Sequence, residues 1–293
     1  MLTLTFLGVG SAFAKRNFNA NVLIEVWKQG PDRQDAPDDT LMIDFGVTGP
    51  MALYQLKERP GFTYLDHEGW INYPAIRRVF ITHQHADHIG GLEEMAGMNT
   101  YVFGKRVADK PFKPQIISSQ SILMNLWDHS LKGGLSAMAG RYVLLQDYFF
   151  IQALEPGNPD RDHFMLAKRY KCTPFQTDHI QVQRKYDWPS YGLYIEDMQT
   201  GESMFYSGDT RFDYPAYATM LNKAKISFHE VQLIEGSHPV HAMLSELRTL
   251  PDAIRQRMHL YHLSDDWDSG PYDTVNTEFA GFAKPFERYL VFK

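Results

Sequence analysis

The chain has 293 residues, of which 44% are hydrophobic and 22% charged, with a net charge of −6. That length suits one large domain or two small ones, and the acidic balance excludes a global basic field of the kind that recruits nucleic acid. A single cysteine, Cys172, excludes an intrachain disulfide and is read as packing, and no apolar run approaches a membrane span, so the expectation is a soluble, cytoplasmic protein.

Thr3 to Leu7 reads as a first strand ending in Gly8-Val9-Gly10-Ser11; it follows no basic region and alternates, so it is not read as a signal peptide. Asn21 to Trp27 alternates as a second strand, and Gly30 to Thr40 is a polar loop rich in Pro and Asp. Leu41-Met42-Ile43 is a short apolar strand that ends at Asp44-Phe45-Gly46. A helix is predicted over Pro50 to Lys57, then an irregular aromatic stretch from Pro60 to Tyr73. Arg77 to Thr82 is the next strand, with a helix over Leu92 to Met98 behind it. Asn99 to Cys172 shows no clear period and is read as an aromatic-rich insertion within one domain covering 1–293. Tyr191 to Glu196 and Ser203 to Ser207 read as a hairpin, and Ile226 to Ile234 and Met258 to His262 as closing strands. Two groups of strands with helices between them fit an α+β fold, a four-layer αββα sandwich of paired sheets.

The residues that carry chemistry begin at Thr82-His83-Gln84-His85-Ala86-Asp87-His88-Ile89-Gly90-Gly91. Imidazole and carboxylate are ligands of zinc and also suit manganese or iron. His83 and His85 are two apart, so on an extended segment both face one way, while Asp87 and His88 follow around the turn. Two adjacent ligand groups point to two metal ions.

With these residues the chain resembles the metallo-β-lactamase fold in its ribonuclease Z-like phosphodiesterase branch, of which T-H-x-H-A-D-H-x-G-G is a specific motif. Phe6-Leu7-Gly8-Val9-Gly10-Ser11-Ala12-Phe13 is similar to that branch's first strand and glycine turn, and Asp44 falls where the family places an aspartate that orients a ligand histidine. The resemblance implies a bridging aspartate at Asp209 in Ser207-Gly208-Asp209-Thr210, and a last histidine at His262, with His259 its competitor. It implies His179 as a further ligand because a Tyr191-Gly192-Leu193-Tyr194 strand follows it; His129 and His163 are its rivals. The implied set is His83, His85 and His179 on one metal and Asp87, His88 and His262 on the other, with Asp209 and a hydroxide between two divalent ions, Zn2+ or alternatively Mn2+. Glu230 and His241 match a glutamate–histidine pair near the leaving group, with His238 the other choice for the donor. Asp87, Glu230 and His241 are thus the expected catalytic groups.

Ribonuclease Z proper carries a long arm between its third histidine and the Ser-Gly-Asp-Thr motif, whereas His179 and Asp209 here are 30 residues apart. An acidic chain without an arm is poorly equipped to hold a polyanion. The chain is more similar to arm-less relatives, the anti-Pycsar phosphodiesterases of phages and their bacterial homologues, including in Leu126-Trp127-Asp128-His129-Ser130-Leu131-Lys132-Gly133-Gly134. That resemblance implies a homodimer that hydrolyses cyclic mononucleotides such as cCMP, cUMP, cAMP and cGMP to linear products and so counters cyclic-nucleotide antiphage signalling. The alternatives are a transfer-RNA 3′ endonuclease and a metal-stabilised nucleotide-binding protein without catalysis.

Overall fold

Leu2–Phe6, Val22–Val26 and Asp39–Ile43 are buried at every position, the mark of strands covered on both faces. The structure, a computed structural model, describes residues 1–104, 112–180, 188–234, 236 and 240–293. Its first large sheet runs in the order Phe150–Leu154, Gln115–Ser119, Arg78–Phe80, Asp39–Ile43, Val22–Val26, Leu2–Phe6, Arg288–Phe292. The second runs Phe164–Leu166, Tyr170–Thr177, Ser190–Asp197, Ser203–Tyr206, Ile226–Glu230, Met258–Tyr261, Gly281–Phe282.

Aromatic rings join the two sheets. Phe6 lies 5.4 Å from Phe228 and 5.3 Å from Tyr261, and Phe80 lies 6.0 Å from Phe164. Each fully buried ring of this kind contributes roughly 2–3 kcal/mol by area alone. Gln120–Leu126 packs on Gln115–Ser119 and the edge strand Phe150–Leu154 of the first sheet, and Tyr214–Lys223 packs on Ser203–Tyr206 of the second. The result is the αββα sandwich.

Both sheets are mixed, and that decides where chemistry gathers. Asp39–Ile43, Arg78–Phe80 and Gln115–Ser119 are mutually parallel, as are Ser203–Tyr206, Ile226–Glu230 and Met258–Tyr261. Parallel strands end at one edge, and loops leaving their carboxyl ends form the usual ligand crevice of such sheets. Asp44, His83, Asp209 and His262 all follow the last residue of such a strand, and Glu230 ends one.

The stretch read from sequence as an insertion supplies Gln115–Ser119 and Phe150–Leu154 to one sheet and Phe164–Leu166 to the other. Its irregular period has a physical cause: Met98–Phe103 and Trp127–Leu131 are π-helical, which breaks the 3.6-residue repeat. The strand expected over Ile226 to Ile234 stops at Glu230, because Gln232 exchanges backbone bonds with Ala242 and Leu244 instead. Pro60 to Tyr73 contains a two-stranded ribbon, Asp66–His67 with Trp70–Ile71.

One glycine governs how the histidine turn seats. A Cβ at Gly46 would run into the Asp87 carbonyl, which itself accepts from Asn21 Nδ2, while Asn21 Oδ1 accepts from Gly46 N. Gly46→Ala is expected to lower stability by about 1–3 kcal/mol through this overlap, read by thermal unfolding. Gly97→Ala is the control, since nothing lies within 4 Å of a Cβ there; it should be neutral or mildly stabilising.

Candidate metal centre

Arg78–Phe80 continues through Ile81 and Thr82 and then turns into the short helix Ala86–Ile89. His83 and His85 come from the extended segment, and Asp87 and His88 from the first turn of the helix. His179 follows Tyr170–Thr177, Asp209 follows Ser203–Tyr206, and His262 follows Met258–Tyr261. The last turn is sharp: His262 has φ +67°, a left-handed conformation that costs a non-glycine residue about 1–3 kcal/mol. That turn aims the imidazole at the edge instead of between the sheets.

Their donor atoms converge. His85 Nδ1 lies 2.9 Å from His83 Nε2 and 3.3 Å from His179 Nε2. His88 Nε2 lies 3.2 Å from Asp87 Oδ2 and 3.4 Å from Asp209 Oδ2, and His262 Nε2 is 3.6 and 3.4 Å from the same two oxygens. Asp209 Oδ2 is also 3.8 Å from His83 Nε2 and 4.0 Å from His179 Nε2. The seven residues therefore form one group of His83, His85 and His179 and a second of Asp87, His88, Asp209 and His262, with Asp209 facing both.

A further layer fixes the rings. Asp44 Oδ2 accepts from His88 Nδ1 at 2.7 Å, and Asp44 also accepts from Thr82 N and Thr82 Oγ1 at 2.8 and 2.7 Å. With its proton committed to Asp44, the Thr82 hydroxyl accepts from His83 Nδ1 at 3.0 Å. His179 Nδ1 donates to the Val240 carbonyl at 2.8 Å. Each outer nitrogen is thus the donor, which leaves Nε2 of His83 and His179 with a free lone pair facing inward and turns Nε2 of His88 to the same side. Asp44→Asn keeps the left-handed backbone at φ +60°, which Asn tolerates, but loses the acceptor strength. It is expected to weaken metal affinity or activity about 10- to 100-fold, read by metal titration of the purified variant.

Electrostatics at the cluster favour a cation. Burial holds His83 and His179 below the ordinary imidazole range, and burial with the neighbouring His179 and His88 brings His85 to about 4. These rings are neutral at pH 7, the form that binds metal. At His88 burial works the other way from its neighbours, and the carboxylates of Asp209, Asp87 and Asp44 prevail, so positive charge is favoured at that position. Burial opposes charge on Asp87 and Asp209, yet the surrounding imidazoles hold both below the carboxylate range. Among the described residues, no lysine or arginine pairs with Asp44, Asp87, Asp209 or Glu230. His88 Nε2, His262 Nε2 and Asp209 Oδ1 are buried without a hydrogen-bond partner. Orphaned atoms of this kind, around buried carboxylates that no lysine or arginine pairs among the described residues, fit divalent ions of the nitrogen- and oxygen-binding class.

Glu230 and His241 also meet. Glu230 Oε1 accepts from His241 Nδ1 at 3.0 Å and from the Thr210 amide at 2.9 Å. Burial disfavours the charged ring, but the Glu230 charge and hydrogen bond outweigh it and push His241 up to about 9. His241 is therefore protonated at neutral pH, with its Nδ1 proton held by Glu230. It stands on a cavity of about 450 Å³ lined also by His85, Asp87, His179, Asp209 and His262, within the ~300–1,000 Å³ typical of small-molecule sites.

The competing histidines are placed elsewhere. His163 pairs with Asp162, and His259 stacks on Phe228 at 5.4 Å and against Tyr289 between the sheets. His129 lies in Trp127–Leu131 and joins neither ligand group, and His238 lies outside the described residues. Sequence reading does not find Thr82 as the link from His83 to Asp44, although Thr82 abuts the motif. It has no means of finding the Val240 carbonyl, whose contribution is a backbone atom any residue would supply.

The family described as anti-Pycsar protein Apyc1 matches residues 2–289. The anti-Pycsar protein Apyc1 of Paenibacillus sp. (strain J14) is 35% identical over 280 residues, covering 95% of this chain and 96% of that protein. Its counterpart in Bacillus phage vB_BsuM-Goe3 is 32% identical, covering 94% and 95%. The crystal structure of the metallo-beta-lactamase fold protein YhfI from Bacillus subtilis superposes with a TM-score of 0.67 over 98% of both chains at 14% identity, which shows that this is a metallo-β-lactamase fold.

Proposed function

Because the chain belongs to the anti-Pycsar protein Apyc1 family, we propose that it is a phosphodiesterase that opens the ring of cyclic mononucleotides, using two divalent ions, Zn2+ or Mn2+. The observation that carries this reading is the Glu230–His241 pair on the same small cavity as the two ligand groups. A phosphodiester with an alkoxide leaving group calls for a proton donor near the departing oxygen, and His241, held by Glu230, is placed on that cavity to supply it.

His83, His85 and His179 would hold one ion and Asp87, His88 and His262 the other, with Asp209 between. Ions bound there supply an acidified water as nucleophile at neutral pH and neutralise the phosphate's negative charge. The chain's own residues do the rest. The cavity walls orient the ring phosphodiester against the ligand edge. His241, charged and held by Glu230, gives a proton to the departing ribose oxygen. Asp44 and Thr82 keep the His88 and His83 rings fixed throughout, so no reorientation is needed during turnover. The homodimer implied by the resemblance belongs to the same proposal and is tested by light scattering of the purified protein.

The deciding assay offers cCMP, cUMP, cAMP, cGMP and a precursor transfer RNA, each with and without manganese or zinc. Linear mononucleotides, absent with Asp87→Ala, are the expected products. Cleavage confined to the RNA would overturn the proposal in favour of an endonuclease. Tight nucleotide binding with no turnover would favour the non-catalytic reading.

A further inference from the structure

Phe13 is 88% exposed, although it belongs to a chain that buries most of its large apolar side chains. It stands at the rim of the metal-site cavity and also lines an adjoining cavity of about 390 Å³ walled by Val231, Leu233 and Ile234. The two cavities share Ala12, Phe13, Val240, His241 and His262, so the ring lies where one opens into the other.

The loop carrying Phe13 is held at both ends. On one side Leu263 N donates to the Val9 carbonyl at 2.7 Å and Ser11 N donates to the Leu263 carbonyl at 2.9 Å, next to His262. On the other, the Asp265 carboxylate accepts from Lys15 N and Arg16 N at 2.6 and 2.8 Å, and the Arg16 guanidinium binds Asp268 at 2.7 Å. An exposed ring on a braced loop loses little conformational freedom when a flat ligand lands on it.

We infer that Phe13 is the platform on which the nucleobase of the substrate stacks, and that Asp265 is a positioning residue that sets the ring at the rim; this rests on the cyclic-nucleotide reading above. Every base has a π-face, so such a platform binds purines and pyrimidines alike and adds affinity without a hydrogen-bond code. It commits the base to the rim and leaves the ring phosphodiester to the ligand edge.

The test compares cAMP and cCMP with a base-free analogue, methyl β-ribofuranoside 3′,5′-cyclic phosphate, through the ratio of their kcat/KM values. Phe13→Ala and Phe13→Leu are expected to lower that ratio about five- to a hundredfold, as stacking on an aromatic ring is worth, chiefly through KM of the nucleotides. Phe13→Tyr should keep it. Asp265→Ala should lower the same ratio, and combining it with Phe13→Ala should give less than the product of the two effects, since both act through one ring. A ratio unchanged in Phe13→Ala, or kept in Phe13→Leu, overturns the platform, and fully multiplicative effects overturn the role of Asp265. Failure of the wild type to hydrolyse any cyclic nucleotide overturns the underlying reading and the platform with it; turnover with an indifferent Phe13 overturns the platform alone.

Discussion

Asp209→Asn is expected to reduce turnover on the order of 10³-fold or more, as happens when one member of a group that acts as a unit is removed. One carboxylate oxygen of Asp209 lies within 4.0 Å of ring nitrogens from His83, His88, His179, His241 and His262. Among the described residues it is the carboxylate that faces both ligand groups. An amide is neutral, offers a single acceptor and turns a donor toward the rings, so it removes charge where two cations would share it. The substitution spares the fold. Asp209 is held by its carbonyl, which accepts from Thr177 Oγ1 at 3.0 Å and Ser190 Oγ at 3.1 Å, and those bonds do not involve the carboxylate. The measurement pairs kcat/KM for cAMP with metal content by mass spectrometry. A variant that retains two ions per chain and near-normal turnover would show that Asp209 is not the shared ligand.

The second large effect falls on the proton donor. His241→Ala should cost about 10²–10⁴-fold with a cyclic nucleotide, the range for a lost general acid. With bis(p-nitrophenyl) phosphate the loss should be much smaller, because p-nitrophenolate leaves without a proton. Glu230→Gln should show the same dependence on leaving group in weaker form. The pH profile adds a signature. The donor form of His241 is the protonated one, and its folded value is raised to about 9. Activity is thus present below that value and falls as pH rises through it, and the alkaline limb should vanish in His241→Ala. Equal losses on both leaving groups would sink the assignment and return the pair to a structural role.

The parts of the site that were legible in the sequence are those written as local spacing. The His83 to His88 cluster sits on one continuous turn, so its geometry is set by residues within six positions of each other. Asp209, His179 and His262 were reachable through motifs that place them after strands, and the structure brings all of them to one edge. His262 and His259 are three apart, so alternation sends them to opposite faces without saying which face meets the ligand edge. The structure puts His262 Nε2 3.4 Å from Asp209 and His259 against Phe228, and the left-handed turn at His262 has no signal in Leu260-Tyr261-His262. The stretch from Asn99 to Cys172 was opaque for another reason: its strands pair with residues tens of positions away, and its π-helical turns carry no fixed hydrophobic period. Backbone acceptors such as the Val240 carbonyl have no residue signature at all.

The ligand edge also has a mechanical meaning. His83, His85, Asp87 and His88 hang from one sheet, while His179, Asp209 and His262 hang from the other. Ions seated between them would tie the two halves of the sandwich together across their open rim, as a removable rivet would. Any ion that binds the folded chain and not the unfolded one adds to global stability by mass action, about 4 kcal/mol at a thousandfold excess over Kd. Chelation should therefore lower the temperature at which the whole chain unfolds and not merely silence one loop, which calorimetry with and without EDTA would read directly. Metal binding and cohesion of the fold would then be drawn from the same few atoms.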